Sequence, residues 1–291
     1  MTNNEFIVAV NSLSFPYVEE YAASIAVVFN AKLEVFDANK AYIIDKSKRY
    51  IFVSVLPYYL ANQTAPEIRS KWFLVNVDQL VTRITMNRYN HIKTMQRFGI
   101  RVLNYADDLR LKRDLGLDLE IIPCPISRTD RYHLMHLMKD AQMIYDVAFC
   151  GELSDRRKSV VDALSNKGLR VIHAQGWQLD RDLQIASAKI LLNIHTFEDY
   201  RMYECLRCDR WAAAGKVVVS EDSVVESLGV DNHGSRHMII ESPYDKLVDT
   251  IIDVLNNYDH YRAQLMEYLR LNLAELIVKR EKALVSVVTK G

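Results

Sequence analysis

Short, almost fully apolar runs alternate with amphipathic stretches along most of this chain. Phe6–Val10, Leu33–Phe36, Tyr50–Leu56, Trp72–Val77, Arg101–Tyr105 and Leu119–Ile122 read as strands. Between them Val18–Phe29 and Leu80–Phe98 carry helical spacing, the second closed by Gly99, a favourable residue at a helix C-terminus. Pro57 stops the third strand, and Pro123 and Pro125 stop the sixth. Strands without a polar face, separated by helices, predict a parallel sheet covered on both sides.

A polar, helical stretch, Arg128–Gln142, serves as a connector, and the pattern then restarts. Tyr145–Cys150, Leu169–His173, Lys189–Ile194, Lys216–Ser220 and Met238–Ile240 form a second set of strands. Arg157–Lys167, Leu179–Ala188 and Tyr203–Ala214 are the helices between them. Tyr244–Val288 has helical period with no Gly or Pro, which predicts two or three helices, the last packing back on the first array. The expectation is an α/β fold of two Rossmann-like doubly wound domains, 1–143 and 144–291, with a helical C-terminal tail. A chain of 291 residues suits two domains.

Composition narrows the function. Apolar residues make up 49% of the chain, enough for substantial cores, and 37 basic residues balance 37 acidic ones. That balance argues against a duplex nucleic-acid partner, whose phosphates call for a basic bias. Cys205 and Cys208 form a C-x-x-C inside a helical pattern, with no second Cys or His pair nearby. With Cys124 and Cys150 they read as core thiols in a reducing compartment, not as a zinc or redox site. The start, MTNNEFIVAVN, lacks a basic leader and reads as a first strand. No stretch reaches the roughly 18 apolar residues of a bilayer span, so the expected location is cytoplasmic.

In sheets of this kind ligands bind beyond the carboxyl ends of the strands. In the first half those ends lead into Asn11–Tyr17, Pro57–Gln63, Asp78–Gln79 and Asp107–Asp108. In the second half, YDVAFCGELSDRRKSVVDAL places Gly151 at a strand end and Ser154 or Asp155 as the cap of the next helix. Arg156, Arg157 and Lys158 stand in its first turn, where cations oppose the helix dipole. Either an anion sits among them, or the turn is simply a solvated basic one. No G-x-G-x-x-G or P-loop signature is present. Trp177, after Gly176, is placed to stack on a nucleobase or to act as a hinge or core residue.

The stretch KILLNIHTFEDYRMYECLRCDRWAAAGKVVVSE concentrates the remaining polar chemistry. A buried strand ends in Asn193 and His195, with Glu198 just beyond. Glu204 begins the next helix, where its carboxylate is favoured by the dipole and suits the two hydroxyls of a ribose. Arg207 lies one turn on, able to pair with Glu204 or to reach a phosphate. The strand Val217–Val219 then delivers Ser220, Glu221, Asp222 and Ser223 to the same edge.

These residues resemble the C-terminal domain of GT-B glycosyltransferases, most of all the short bacterial and large-virus members. The likeness rests on the N-I-H-x-x-E-like turn, the helical E-x-x-R and the strand ending V-V-S-E. It covers residues 145–226, including Gly151 and Arg156 in DVAFCGELSDRRKSVVDALSNKGLRV. The resemblance implies an enzyme that transfers a sugar from a UDP- or GDP-sugar donor to a glycan or other hydroxyl acceptor, in a cleft between its domains. It implies no permanently bound cofactor and no metal. It places Glu204 on the ribose, Gly151, Arg156 and Ser220–Ser223 near the diphosphate, and His195 and Glu198 near the donor sugar. The E-x7-E of one large GT-B family is absent, because Thr196 stands eight residues before Glu204. An inverting reaction would take its base from the first domain, where Glu19, Asp78 and Asp107 are candidates and Asp78 is preferred. Asp78 also reads as a helix cap. Two alternatives stay open. One is a transferase acting on modified DNA bases, using Lys71, Arg83, Arg88, Lys93 and Arg97 as a basic patch. The other is a non-catalytic nucleotide-sugar-binding protein on the same fold.

Overall fold

The computed structural model describes residues 5–37, 39–78, 80, 86–105, 109–117, 119–200, 202–223 and 234–290. The chain divides into two compact units, Met1–Pro125 with Lys279–Gly291, and Ile126–Val278.

In the first unit, β1 (Phe6–Asn11), α1 (Phe15–Val28), β2 (Lys32–Phe36) and β3 (Arg49–Val53) follow one another. Then come α2 (Tyr58–Gln63), α3 (Pro66–Arg69), β4 (Trp72–Asn76), α4 (Met86–Arg97), β5 (Arg101–Asn104), α5 (Leu109–Arg113) and β6 (Glu120–Ile121). All strands pair in parallel, in the order β2-β1-β3-β4-β5-β6. β1, β3 and β4 are the fully apolar runs of the sequence and lie at the middle of the sheet. Ile7, Ala9, Phe52, Leu74 and Trp72 share one core cluster with Ile92 and Met95 of α4. The short helices α2, α3 and α5 carry no long amphipathic period, so the sequence pattern did not announce them.

The second unit opens with α6 (Arg128–Asp140), β7 (Tyr145–Cys150), α7 (Asp155–Asn166), β8 (Val171–Ala174), α8 (Gln178–Ala186) and β9 (Ala188–Asn193). It continues with α9 (Cys205–Ala213), β10 (Val217–Glu221), β11 (Ile240–Ser242), α10 (Leu247–Asn256) and α11 (Tyr258–Thr289). Its parallel sheet runs β11-β10-β9-β7-β8. The predicted strand Met238–Ile240 is displaced: Ser235–Met238 is a single 3₁₀ turn, and the strand starts at Ile240. The core joins Val147, Phe149, Leu192 and Val219 of the strands to Leu247, Ile251 and Val254 of α10.

The units do not break between 143 and 144 as expected. Helix α6 belongs to the second unit because Arg210 of α9 holds its Asp130 in a two-pronged ion pair (2.8 and 2.6 Å) and also grips Asp182 of α8 (3.0 and 2.9 Å). Arg131 adds a bond to the Ala213 carbonyl at 2.7 Å. At the other end, the last turns of α11 belong to the first unit. Arg49 donates to the Val288 carbonyl (2.8 Å), Arg101 to that of Val287 (2.6 Å), and the buried Arg280 to that of Cys124 (3.0 Å). The guanidinium groups of Arg49 and Arg101 satisfy carbonyls that the end of α11 leaves without partners, and complement the negative end of its dipole. Among the described residues no helix is long and apolar enough to cross a membrane.

Candidate functional site

Both sheets have the same switch. The chain lays its first strand inside, its second outside, and crosses back to put the third on the other flank of the first. Neighbouring loops therefore leave in opposite directions between β1 and β3, and between β7 and β9, and open a crevice at the carboxyl edge. In the second unit this crevice is bounded by Gly151 after β7 and by Asn193, Ile194 and His195 at the end of β9.

Two guanidinium groups converge on Gly151. Its φ of +119° is a conformation that side chains rarely tolerate, and a Cβ there would stand 3.1 Å from Arg207 Nη2 and 3.3 Å from Arg157 Nη1. Arg157 is buried, donating from Nε to the Ile194 carbonyl and from Nη1 to the Glu152 carbonyl, both at 2.9 Å. Burial, and after it the charge of Arg207, pull its pKa down to about 10, which leaves it charged at neutral pH. Arg207 donates to Asn193 Oδ1 (3.2 Å), and Asn193 donates in turn to Ser220 Oγ (2.9 Å). Ser154 caps α7, accepting from the Arg157 N–H and donating to the Thr196 carbonyl (3.0 Å), so the free N–H groups of that helix open at the same edge. His173 donates to the Gly151 carbonyl at 2.8 Å and stacks on Phe149, which fixes the turn from below.

The neighbouring Arg156 does something else. It forms a bidentate pair with Glu221, with Nη1 2.6 Å from Oε2 and Nη2 on Oε1, and lies 3.7 Å over the Tyr244 ring. Tyr244 donates its hydroxyl to the Arg156 carbonyl (2.8 Å). The same pair frames His195: Glu221 Oε2 accepts its N–H (2.9 Å), and Arg156 Nη1 donates to its carbonyl (3.1 Å). Two residues expected near the diphosphate are thus bound to each other. The arginine one position on, a turn of about 100° around the helix, is the one that meets Gly151.

The other expected residues are spread around this edge. Glu204 occupies the cap position of α9, and its charge acts on both Arg157 and His195. Ser223 is half-buried, with its N–H 3.5 Å from Glu241 Oε1. Glu198 is exposed on the turn beyond His195, next to Phe197. Trp177 is 45% exposed at the start of α8, after Gly176 at φ +85°. In the first unit Asp78, just past β4, is ion-paired with Arg88 at 2.5 Å. Arg88 also binds the carbonyl and hydroxyl of Ser54, whose φ is +74°. Glu19 has its pKa raised, chiefly by burial and then by Glu20, and its Oε2 lacks a hydrogen-bond partner among the described residues. Asp107 and Arg83 lie outside the described residues. Of the expected basic patch, Arg88 is committed to Asp78 and Ser54, and Lys93 lies 4.8 Å over the Tyr89 ring. Among the described residues no group of three or more His, Cys, Asp and Glu side chains could hold a metal ion. None of the four cysteines is in a disulfide, and all four are buried.

No family model matches the chain. It is similar to uncharacterized protein L140 of Acanthamoeba polyphaga mimivirus, with 30% identity across 86% of this chain and 79% of that one. Uncharacterized protein L138 of the same virus is 30% identical over 79% of this chain, which spans only 25% of that longer relative. Among solved structures, an ABC transporter solute-binding protein from Burkholderia multivorans aligns over 91% of this chain and 96% of its own. Its identity is 17% and its TM-score 0.25, too low to carry an argument about fold or ligand.

Proposed function

This chain belongs to the family of the mimivirus protein L140, and we propose that it is a GT-B-type glycosyltransferase whose second unit holds a nucleotide-sugar donor. The observation that carries the reading is the convergence of Arg157 and Arg207 on Gly151, beside the open N-terminus of α7, at the switch point of the second sheet. Two guanidiniums and a helix N-terminus suit a diphosphate, both as bound substrate and as leaving group, without a metal. Glu204, at the start of α9, suits the ribose hydroxyls. Asn193 and Ser220 hold Arg207 in place, and Trp177 offers a face to a base. The Arg156–Glu221 pair keeps the His195 main chain fixed beside them. The reaction is displacement of the nucleoside diphosphate from the sugar by an acceptor hydroxyl, and Asp78 is the group assigned to the acceptor proton.

Thermal unfolding against UDP-, GDP-, CMP- and TDP-sugars, with NAD and ATP as controls, tests this. A ligand at a hundred times its Kd adds about 2.7 kcal/mol. One sugar nucleotide should raise the Tm of the wild type and not that of Glu204→Ala. Asp78→Asn should keep the shift and lose turnover. No shift with any sugar nucleotide would refute the donor site.

A further inference from the structure

Strand β2 lies at one edge of the first sheet and pairs with β1 alone. Along a strand, the main-chain groups of successive residues point to alternate sides. The Phe36 carbonyl accepts from the Ser12 N–H at 2.8 Å, on the β1 side. Lys32 and Glu34 therefore face β1 as well, while Ala31, Leu33, Val35 and Asp37 face outward. The two ends of that outward row are occupied. The Ala31 N–H donates to the Ala26 carbonyl (2.8 Å), and the Asp37 carbonyl accepts from the Lys40 N–H (3.2 Å). Between them, the N–H and C=O groups of Leu33 and Val35 have no main-chain partner among the described residues. A groove of about 560 Å³ lies along this edge, walled by Lys32–Phe36 on one side and Lys40–Tyr42 on the other. It leaves room for a further strand, which needs a spacing of about 4.8 Å.

An open edge of this kind pairs with another chain unless charge or shape blocks it. The charges here have both signs. Phe36 lies in the core cluster on one face of the sheet, so Lys32 and Glu34 stand on that face too. They pair with each other at 2.9 Å, and the lysine side chain is 70% exposed. We infer that the open edge of β2 binds β2 of a second copy of this chain, antiparallel, about a two-fold axis at Leu33. In that register Leu33 meets its own copy and exchanges two hydrogen bonds with it. The Val35 N–H reaches the carbonyl of the copy's Ala31, which keeps its acceptor free of the Ala26 contact. Each Lys32 stands opposite the Glu34 of the other chain, a favourable cross-strand pair made twice. An axis at Glu34 would set two carboxylates face to face, so charge selects the register. Val35, 48% exposed, and Ile43, 88% exposed just beyond the groove wall, are apolar surface for a partner to cover. A two-fold pairing consumes the edge in both copies, so assembly stops at the dimer.

Sedimentation equilibrium of the full chain from about 5 to about 500 µM is the test, because interfaces built on one strand are small and weak. The wild type should pass from monomer to dimer with no larger species. Leu33→Pro removes an outward N–H and no bond to β1, a place where an edge strand tolerates proline, and it should stay monomeric. Lys32→Glu and Glu34→Lys each set like charges across the axis and should weaken the dimer by about tenfold or more. Mixed with each other, these two variants face opposite charges and should form a heterodimer about as stable as the wild-type dimer. A wild type that is monomeric throughout, or a dimer that Leu33→Pro leaves intact, overturns the inference. So does a mixture of the two charge variants that associates no better than either alone. Lys32 is a surface residue, so Lys32→Glu and the mixture decide the matter if circular dichroism shows that Leu33→Pro fails to fold.

Discussion

Arg156→Ala would strip Glu221 of both guanidinium bonds and leave a carboxylate whose side chain is 8% exposed with the His195 N–H as its remaining contact described above. Removing one partner of a buried pair costs about 3–5 kcal/mol. The Arg156 side chain is itself 19% exposed, so the lower end, about 3 kcal/mol, applies, with the loss of the Tyr244 contact included. For a unit of about 150 residues that is a fall in Tm of roughly 6–12 °C. Glu221→Ala should cost less, about 2 kcal/mol, because the partly exposed guanidinium can turn to water. The double variant should lose about 3 kcal/mol, well short of the sum, giving a coupling of about 2 kcal/mol. Urea unfolding of the four proteins, read by circular dichroism, measures the cycle. Losses that add to within about 0.5 kcal/mol would show that the two side chains do not support each other, and the framing of His195 would lose its basis.

Gly151→Ala should destabilise the second unit by about 1–3 kcal/mol, since its φ of +119° is strained for any side chain. It should also push Arg207 aside and weaken donor binding, which calorimetric titration would report. Lys216 is buried against the carbonyls of Ala186 and Ala188, and burial, with Arg262 adding to it, lowers its pKa to about 7. The unfolded chain therefore binds the extra proton between about pH 7 and 10, and stability should rise with pH across that window, by up to about 1.4 kcal/mol per unit. Urea midpoints at pH 7 and 9 should show the rise in the wild type and lose it in Lys216→Met; equal slopes would refute it. Arg210→Met should leave Asp130 and Asp182 facing each other without their shared cation, cost about 3–5 kcal/mol, and loosen α6 first, which amide hydrogen exchange would show.

The strands were legible because parallel sheets covered on both faces need continuous apolar runs, and FIVAVN, WFLVN and AKILLN supply them. The clustering of polar groups after β7, β9 and β10 was legible for the same reason, since each run ends where Gly151, Asn193 and Ser220 begin. Which arginine faces the crevice was not. Arg156 and Arg157 are chemically alike, and partners distant in sequence, Glu221 and Tyr244 for the first and Ile194 for the second, decide which way each turns. A pair of adjacent cations on one helix was itself the signal, because neighbours on a helix cannot share a face. The unit boundaries were hidden because they depend on single long side chains, Arg210 and Arg280, reaching across long stretches of sequence.

The first unit is discontinuous: its sheet holds the carbonyls of Val287 and Val288 through Arg101 and Arg49, and Cys124 meets Arg280. A ribosome makes those last turns only after the whole of Ile126–Val278. The earlier-made part must therefore wait with Leu284 and Val288, both buried in the finished fold, missing from its surface. The later-made unit is continuous and has all its residues first. The unit begun first is thus the one whose residues are completed last, the reverse of the usual N-terminal-first order.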